Sequence, residues 1–95
     1  MTSQHWQVYI VQCADRTLYT GVAKELEARI EAHNAGRGAK YTRGRRPVEL
    51  VYSEVAADRP SALRRELEIK KLPADAKRAL LRAQSPARKR RVRSS

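Results

Sequence analysis

WQVYIVQC (Trp6–Cys13), followed closely by LYTGV (Leu18–Val22), is the stretch on which the fold turns. Each segment is rich in β-branched and aromatic residues in rough alternation, the composition of a strand. Ala14 to Thr17 between them is short and polar, so the two strands form an antiparallel hairpin. Working outward, Lys24 to Ala35 reads as a helix, with Leu26 and Ile30 stacked at i, i+4 and Gly36 placed as its stop. Gly36 to Pro47 is a glycine- and arginine-rich loop with a short turn of helix around Lys40 to Thr42. VELVYSE (Val48–Glu54) is a third strand. Asp58 with Pro60 opens a second helix that runs to about Leu72. Pro73 starts a third, which carries Leu80 and Leu81 and fades before Pro86. The order β-β-α-β-α-α predicts an α/β (α+β) sandwich: a small, mainly antiparallel three-stranded sheet flanked by helices.

Bulk properties bound the possibilities. The chain has 95 residues, one domain's worth, and 41% of them are hydrophobic, enough for a single layered core. Cys13 is the only cysteine, which excludes an intrachain disulfide and a cysteine-built zinc site. The longest early apolar run, Val8 to Val11, is far shorter than a signal sequence or a membrane span, so the expectation is a cytoplasmic protein with no membrane partner. The charge is +11, from 21 Lys and Arg against 10 Asp and Glu, and it is concentrated in two places. Arg88, Lys89, Arg90, Arg91 and Arg93 give the segment from Ser85 to Ser95 five positive charges and no acid. Arg37, Lys40, Arg43, Arg45 and Arg46 do the same between two structured segments. Such patches suit a polyanion, because each cation that neutralises a phosphate releases counterions. The division expected is a domain over 1–84 and a disordered basic tail over 85–95.

Several residues have the right types and spacing for chemistry. Tyr9 and Tyr19 lie on the two strands of the hairpin, and Gly21 follows two positions after the second. Arg29 and His33 stand at i, i+4 on the first helix, about 60° around it from the Leu26/Ile30 stripe, able to border the core and reach a cleft. Glu66 sits between Ala62 and Ile69 on one side and Leu63 and Leu67 on the other. A carboxylate in such an arc costs several kcal/mol, roughly, unless it is paired or binds a metal.

Tyr9, then Tyr19-Thr20-Gly21, then Arg29 and His33, then a basic loop with Tyr41, then Ala62-Leu63-Arg64-Arg65-Glu66 resemble the GIY-YIG nuclease superfamily in order and spacing. Glu66-Leu67-Glu68-Ile69-Lys70-Lys71-Leu72 is similar to its short stand-alone branch. The resemblance covers about residues 6 to 80. Gln7 stands where the first motif has glycine, and Val22 where some members have lysine. The resemblance implies a divalent cation, Mg²⁺ or Mn²⁺, held by Glu66, and the Arg29 guanidinium on the scissile phosphate. It implies Tyr9 beside the attacking water, with Tyr19 and His33 in support. Gly21, Arg37, Lys40, Tyr41, Arg43, Arg45 and Arg46 are then the nucleic-acid-binding set. The implied activity is metal-dependent, structure-selective cleavage of nucleic acid, DNA rather than RNA. A tyrosine of ordinary pKa is phenolate only about 0.1% of the time at neutral pH, a cost of about 4 kcal/mol, so His33 is the cheaper base; the resemblance favours Tyr9, with His33 as a relay.

Singly, each residue has an ordinary explanation. Tyr9 and Tyr19 are sheet aromatics, Arg29 pairs with Glu25, His33 sits near a helix end, and Glu66 pairs with Lys70. Tyr41 packs on a helix or, beside Arg43, stacks on a base; Trp6 and Cys13 pack. Readings from other classes are a binding module that keeps the fold without cutting, and an adaptor docked by its basic tail. Deleting Ser85 to Ser95 should flatten the log–log salt dependence of nucleic-acid binding by up to about 4–5 units. An unchanged slope in filter binding across salt concentrations would remove the tail from contact with phosphate.

Overall fold

The computed structural model describes residues 5–93, with side chains for residues 5–83. Strand β1 (Trp6–Gln12) is central in an antiparallel sheet of order β2-β1-β3, with β2 (Leu18–Ala23) and β3 (Glu49–Ala56) at the edges. Being central, β1 is covered on both faces: Val8, Tyr9, Ile10 and Val11 are all fully buried. That explains its near-continuous apolar sequence, where an edge strand alternates more cleanly.

The pleat divides the core in two. Val8 and Ile10 pack with Tyr52 of β3 and with Ala62 and Ile69 of α3 (Arg59–Lys70), and Leu80 and Leu81 of α4 (Ala74–Arg93) lie against them. Tyr9, Val11 and Cys13 face the other way, toward Leu26 and Ile30 of α1 (Leu26–Asn34). Each fully buried Val or Ile on these faces contributes about 1.5–3 kcal/mol of apolar transfer. The architecture is the expected three-stranded antiparallel sheet flanked by helices. Between α1 and β3 the basic loop forms one helical turn, α2 (Lys40–Arg43).

Local chemistry sets the element ends. Asp58 caps α3 by accepting from the Ser61 N–H at 2.9 Å, with Pro60 in the first turn. Gly36, at φ +84°, stops α1. Its N–H bonds to the His33 carbonyl and that of Arg37 to the Ala32 carbonyl, the paired closure that favours glycine in the left-handed region. Helix α4 continues to Arg93 rather than fading before Pro86. Alanines and long basic side chains are good helix formers, and they outweigh the one backbone bond that Pro86 cannot make. Whether the chain divides at 84 remains an expectation: side chains from Gln84 onward, and residues 94 and 95, lie outside the described residues.

Asn34 joins the two halves of the loop. Its side-chain amide donates to the Val48 carbonyl at 3.1 Å and accepts from the Val48 N–H at 2.7 Å, pairing with the chain as a neighbouring strand would. The pair fixes where β3 begins relative to the end of α1. Asn34→Ala should lower stability by about 1–3 kcal/mol in urea unfolding, through loss of both bonds at a buried valine. A change within about 0.5 kcal/mol, the scale of an ordinary surface substitution, would show that the pairing does not hold the loop.

Candidate active site

Tyr9 projects from the middle of β1 on the α1 side, opposite Gly21 of β2. The phenol lies across that glycine. A Cβ at position 21 would stand 2.6 Å from the Tyr9 hydroxyl and 3.2 Å from the Tyr19 ring, closer than real side chains approach. Gly21 is itself buried, and its part in this geometry is clearance for the phenol.

Beyond the glycine the phenol reaches α1. The Tyr9 Oη and the His33 Nε2 are 2.8 Å apart, and the His33 Nδ1 is 2.8 Å from the Thr42 Oγ1, both contacts buried. The Thr42 hydroxyl has a single proton, which it donates to the Ala39 carbonyl at 3.0 Å. Its oxygen therefore accepts from His33, so Nδ1 carries the hydrogen, Nε2 is bare, and the Tyr9 hydroxyl donates to Nε2. The terminal carbonyl fixes the donor direction of the whole chain. Gly38 makes room for it: a Cβ there would fall 2.2 Å from the His33 Nδ1.

The other expected site residues gather at the same phenol. Burial pushes the Tyr9 pKa up from its ordinary 10, the nearby Arg29 guanidinium pulls it down, and Tyr19 and Glu66 add smaller upward pushes. Burial and then Arg29 hold His33 below its ordinary 6.5. Tyr19 meets the His33 ring edge to face at 5.5 Å between centroids. Tyr9, Tyr19, Arg29, His33 and Glu66, drawn from both strands of the hairpin and from α1 and α3, thus share one locality. The Glu66 side chain is only 16% exposed and lies 3.1 Å from the Lys70 ammonium, so the ordinary i, i+4 pair is also present. The apolar arc around it is less closed than its sequence implies, because Leu67 is 56% exposed.

The basic segment is partly committed to the fold. Arg45 pairs with Asp15 at 3.0 Å, donates to the Tyr41 carbonyl and lies 4.0 Å over the Tyr41 ring. Tyr19 stacks on that ring at 5.8 Å, so Tyr41 is engaged within the chain while staying 39% exposed. Arg46 donates to the carbonyls of Arg43 and Asn34 and lies against Gly36, closing the end of α1. Arg37, Lys40 and Arg43 have exposed side chains.

Residues 5–79 match the GIY-YIG catalytic domain. The chain belongs to the GIY-YIG family. It is 54% identical over 79 residues to a UPF0213 protein of Desulfotalea psychrophila, covering 82% of this chain and 72% of that one. A UPF0213 protein of Staphylococcus aureus is 60% identical over 63 residues, 66% of this chain and 77% of the other. Among solved structures, a UPF0213 protein from Bacillus halodurans matches with a TM-score of 0.55 and 39% identity, over 86% of each chain. A protein from E. faecalis matches at 0.57 and 34%, with the same coverage. Among the described residues no helix is long and apolar enough to cross a membrane.

Nothing local in the sequence announces three contributors: Thr42, Gly38 and Asn34. Thr42 meets His33 only because α2 folds back on α1, and neither its type nor its spacing announces that contact.

The lowered His33 pKa has a consequence for stability. As pH falls through about 6.5 the unfolded chain takes up the proton first, so the folded state is progressively disfavoured below that value and unaffected above it. Urea unfolding at about pH 5 and about pH 7.5 should show wild type losing more stability on acidification than His33→Gln. Equal losses in the two proteins would mean that His33 is not held neutral by the fold.

Proposed function

We propose that this GIY-YIG domain hydrolyses phosphodiester bonds of nucleic acid, with Tyr9 and His33 handling the proton of the attacking water. The observation that carries the reading is the directed hydrogen-bond chain from Tyr9 through His33 and Thr42 to the Ala39 carbonyl. A bare Nε2 facing a phenol is the arrangement a proton acceptor requires. Ionising the phenol in advance is unfavourable, since burial raises its pKa. The Tyr9 proton therefore moves to the His33 Nε2 as the phenol oxygen takes a proton from water; the water oxygen bonds to phosphorus, the P–O bond to the leaving sugar oxygen breaks, and that oxygen takes a proton from solvent. Thr42 keeps the imidazole in the accepting tautomer throughout. Arg29 binds a non-bridging phosphate oxygen.

Glu66 is the residue to hold a divalent cation. Among the described residues no three His, Cys, Asp or Glu side chains gather to form a metal cage. A single carboxylate nevertheless suits Mg²⁺ or Mn²⁺, which keeps several waters and takes one or two carboxylates together with substrate phosphate. The lone carboxylate is a poor fit to zinc, which requires three or four protein ligands. When bound, such an ion supplies positive charge to the phosphate and leaving oxygens as they become more negative. DNA is the substrate we favour over RNA, and cleavage selective for structure is the activity we favour. The Lys70 ammonium on Glu66 favours the competing reading, a domain that binds nucleic acid without cutting it.

Purified protein incubated with supercoiled, branched and single-stranded DNA, with and without Mg²⁺ or Mn²⁺, separates the two. Metal-dependent nicking by wild type is expected, falling about 100-fold or more in Tyr9→Phe, Arg29→Ala and Glu66→Ala. Tight binding by wild type and all three variants, with no nicking by any, would replace the enzyme with the binding module.

A further inference from the structure

Beside Arg29 runs a groove of about 420 Å³, bounded by α1, the end of β2 and the start of β1. Ala28 and Ala32 form its α1 wall, and their small side chains leave the space open. The half-buried Trp6 ring closes one end. Two cations flank that ring: the Lys24 ammonium at 5.8 Å and the Arg59 guanidinium at 5.9 Å from its centroid. Among the described residues neither cation forms an ion pair with a carboxylate. Glu25 is the acidic member of the lining, against Lys24 and Arg29.

We infer that this groove binds one nucleotide of an unpaired strand, its base stacked on Trp6 and its phosphate between Lys24 and Arg59. The inference rests on the nucleic-acid reading above and adds a substrate class to it. An indole face bordered by cations is what a stacked base and its phosphate require. Tyr41 is the more exposed ring, but Tyr19 and Arg45 already engage it. Arg45 lies in van der Waals contact with the Tyr41 ring and is tied to Asp15, whereas the cations at Trp6 stand near the outer limit of interaction with the ring. They can shift onto a phosphate without breaking a salt bridge. Trp6 lies three residues before Tyr9 on β1, about 10 Å along the strand, and packs against the Val8/Ile10 cluster on the other face of the pleat, so a strand bound at both places passes around the edge of the sheet. A duplex cannot offer a base to Trp6 without unpairing it, so the subsite selects flaps, forks and single strands.

Trp6 is the only tryptophan, so its fluorescence reports on the groove directly. The full wild-type chain is titrated in EDTA, where metal-dependent cleavage is blocked, with a dye-labelled oligothymidylate followed by anisotropy. Binding should be accompanied by saturable quenching of Trp6 emission. An abasic oligomer of equal length should bind more weakly and leave the emission unquenched. Trp6→Leu should weaken oligothymidylate binding by about 5- to 100-fold and Trp6→Phe much less. Lys24→Ala with Arg59→Ala, which leaves the ring in place, should reduce the log–log salt slope by about 1.4. Oligothymidylate binding with no quenching, or equal affinity for the abasic oligomer, overturns the subsite. Quenching in a protein that never nicks DNA would retain the subsite and reject the nuclease reading; nicking without quenching would do the reverse.

Discussion

The Tyr9 phenol must cross an edge strand before it can reach His33, and much of the local sequence keeps that path open. Gly21 provides the opening in β2, since even a methyl group there would collide with the hydroxyl. Gly38 provides a second opening against the imidazole. Gly36, in the left-handed region, turns the chain sharply off α1 so that α2 can return and place the Thr42 hydroxyl at the His33 Nδ1. Asn34 then anchors the far end of the loop to Val48. Three glycines and two polar side chains thus serve one buried row of hydrogen bonds. A buried imidazole without both partners would leave a polar atom unsatisfied, at a cost of about 1–3 kcal/mol.

Positive charge in this protein is less free than its composition implies. Arg45 and Arg46 look like phosphate ligands in the sequence, yet each is engaged by the fold. One neutralises Asp15 and covers Tyr41, and the other caps α1 by donating to the Asn34 carbonyl at its C-terminus. Arg65 is also committed, bonding to Glu54 at 2.8 Å and to Glu68 at 3.1 Å on the far side of the sheet from Tyr9. Its pKa lies above the ordinary arginine value chiefly because of those two carboxylates. Arg37, Lys40 and Arg43 remain exposed around the loop. Net charge therefore overstates how many phosphates the internal patch can neutralise.

The fold was legible because its signals are local. The β-branched and aromatic runs of β1 and β2, Gly36 as a stop, and Asp58 with Pro60 as a start each depend on neighbours within a few positions, and all three appear in the structure. The placing of Arg29 and His33 beside the Leu26/Ile30 stripe follows from helical geometry alone, and His33 is indeed buried while Arg29 is partly so. What could not be read are contacts closed by the loop. Thr42 bonds a residue nine positions away, Arg45 pairs with Asp15 across thirty, and neither separation carries a periodic trace. Tyr41 was open to two readings, packing or base stacking, because its use depends on where Tyr19 and Arg45 come to lie. Helix α4 extends further than its composition implies for the opposite reason: helix propensity persists through a segment with almost no apolar residues, where the lack of a core argues for disorder.

The electrostatics of the site have a built-in dependence on what occupies Arg29. In the free protein, burial favours the neutral forms of both Tyr9 and His33, raising one pKa and lowering the other. Arg29 acts on the two groups with opposite consequences for proton transfer: it eases loss of the proton from Tyr9 and resists its arrival on His33. An anion bound to that guanidinium reverses both effects, making His33 more basic and the phenolate less favoured. The transfer from Tyr9 to His33 is then sensitive mainly to the difference between their distances from the anion. His33 lies behind Tyr9, in hydrogen bond with it and buried against Thr42, so the two charges created by transfer form a short dipole whose negative end is the phenol oxygen. A cation held at Glu66, as proposed, would stabilise the same negative end, since that carboxylate is close enough to influence Tyr9. In the proposed mechanism Glu66 and the directed row from Tyr9 to Ala39 are therefore complementary. A cation at the carboxylate would bring positive charge to the oxygen that must lose a proton, and the row keeps a bare nitrogen ready to receive it.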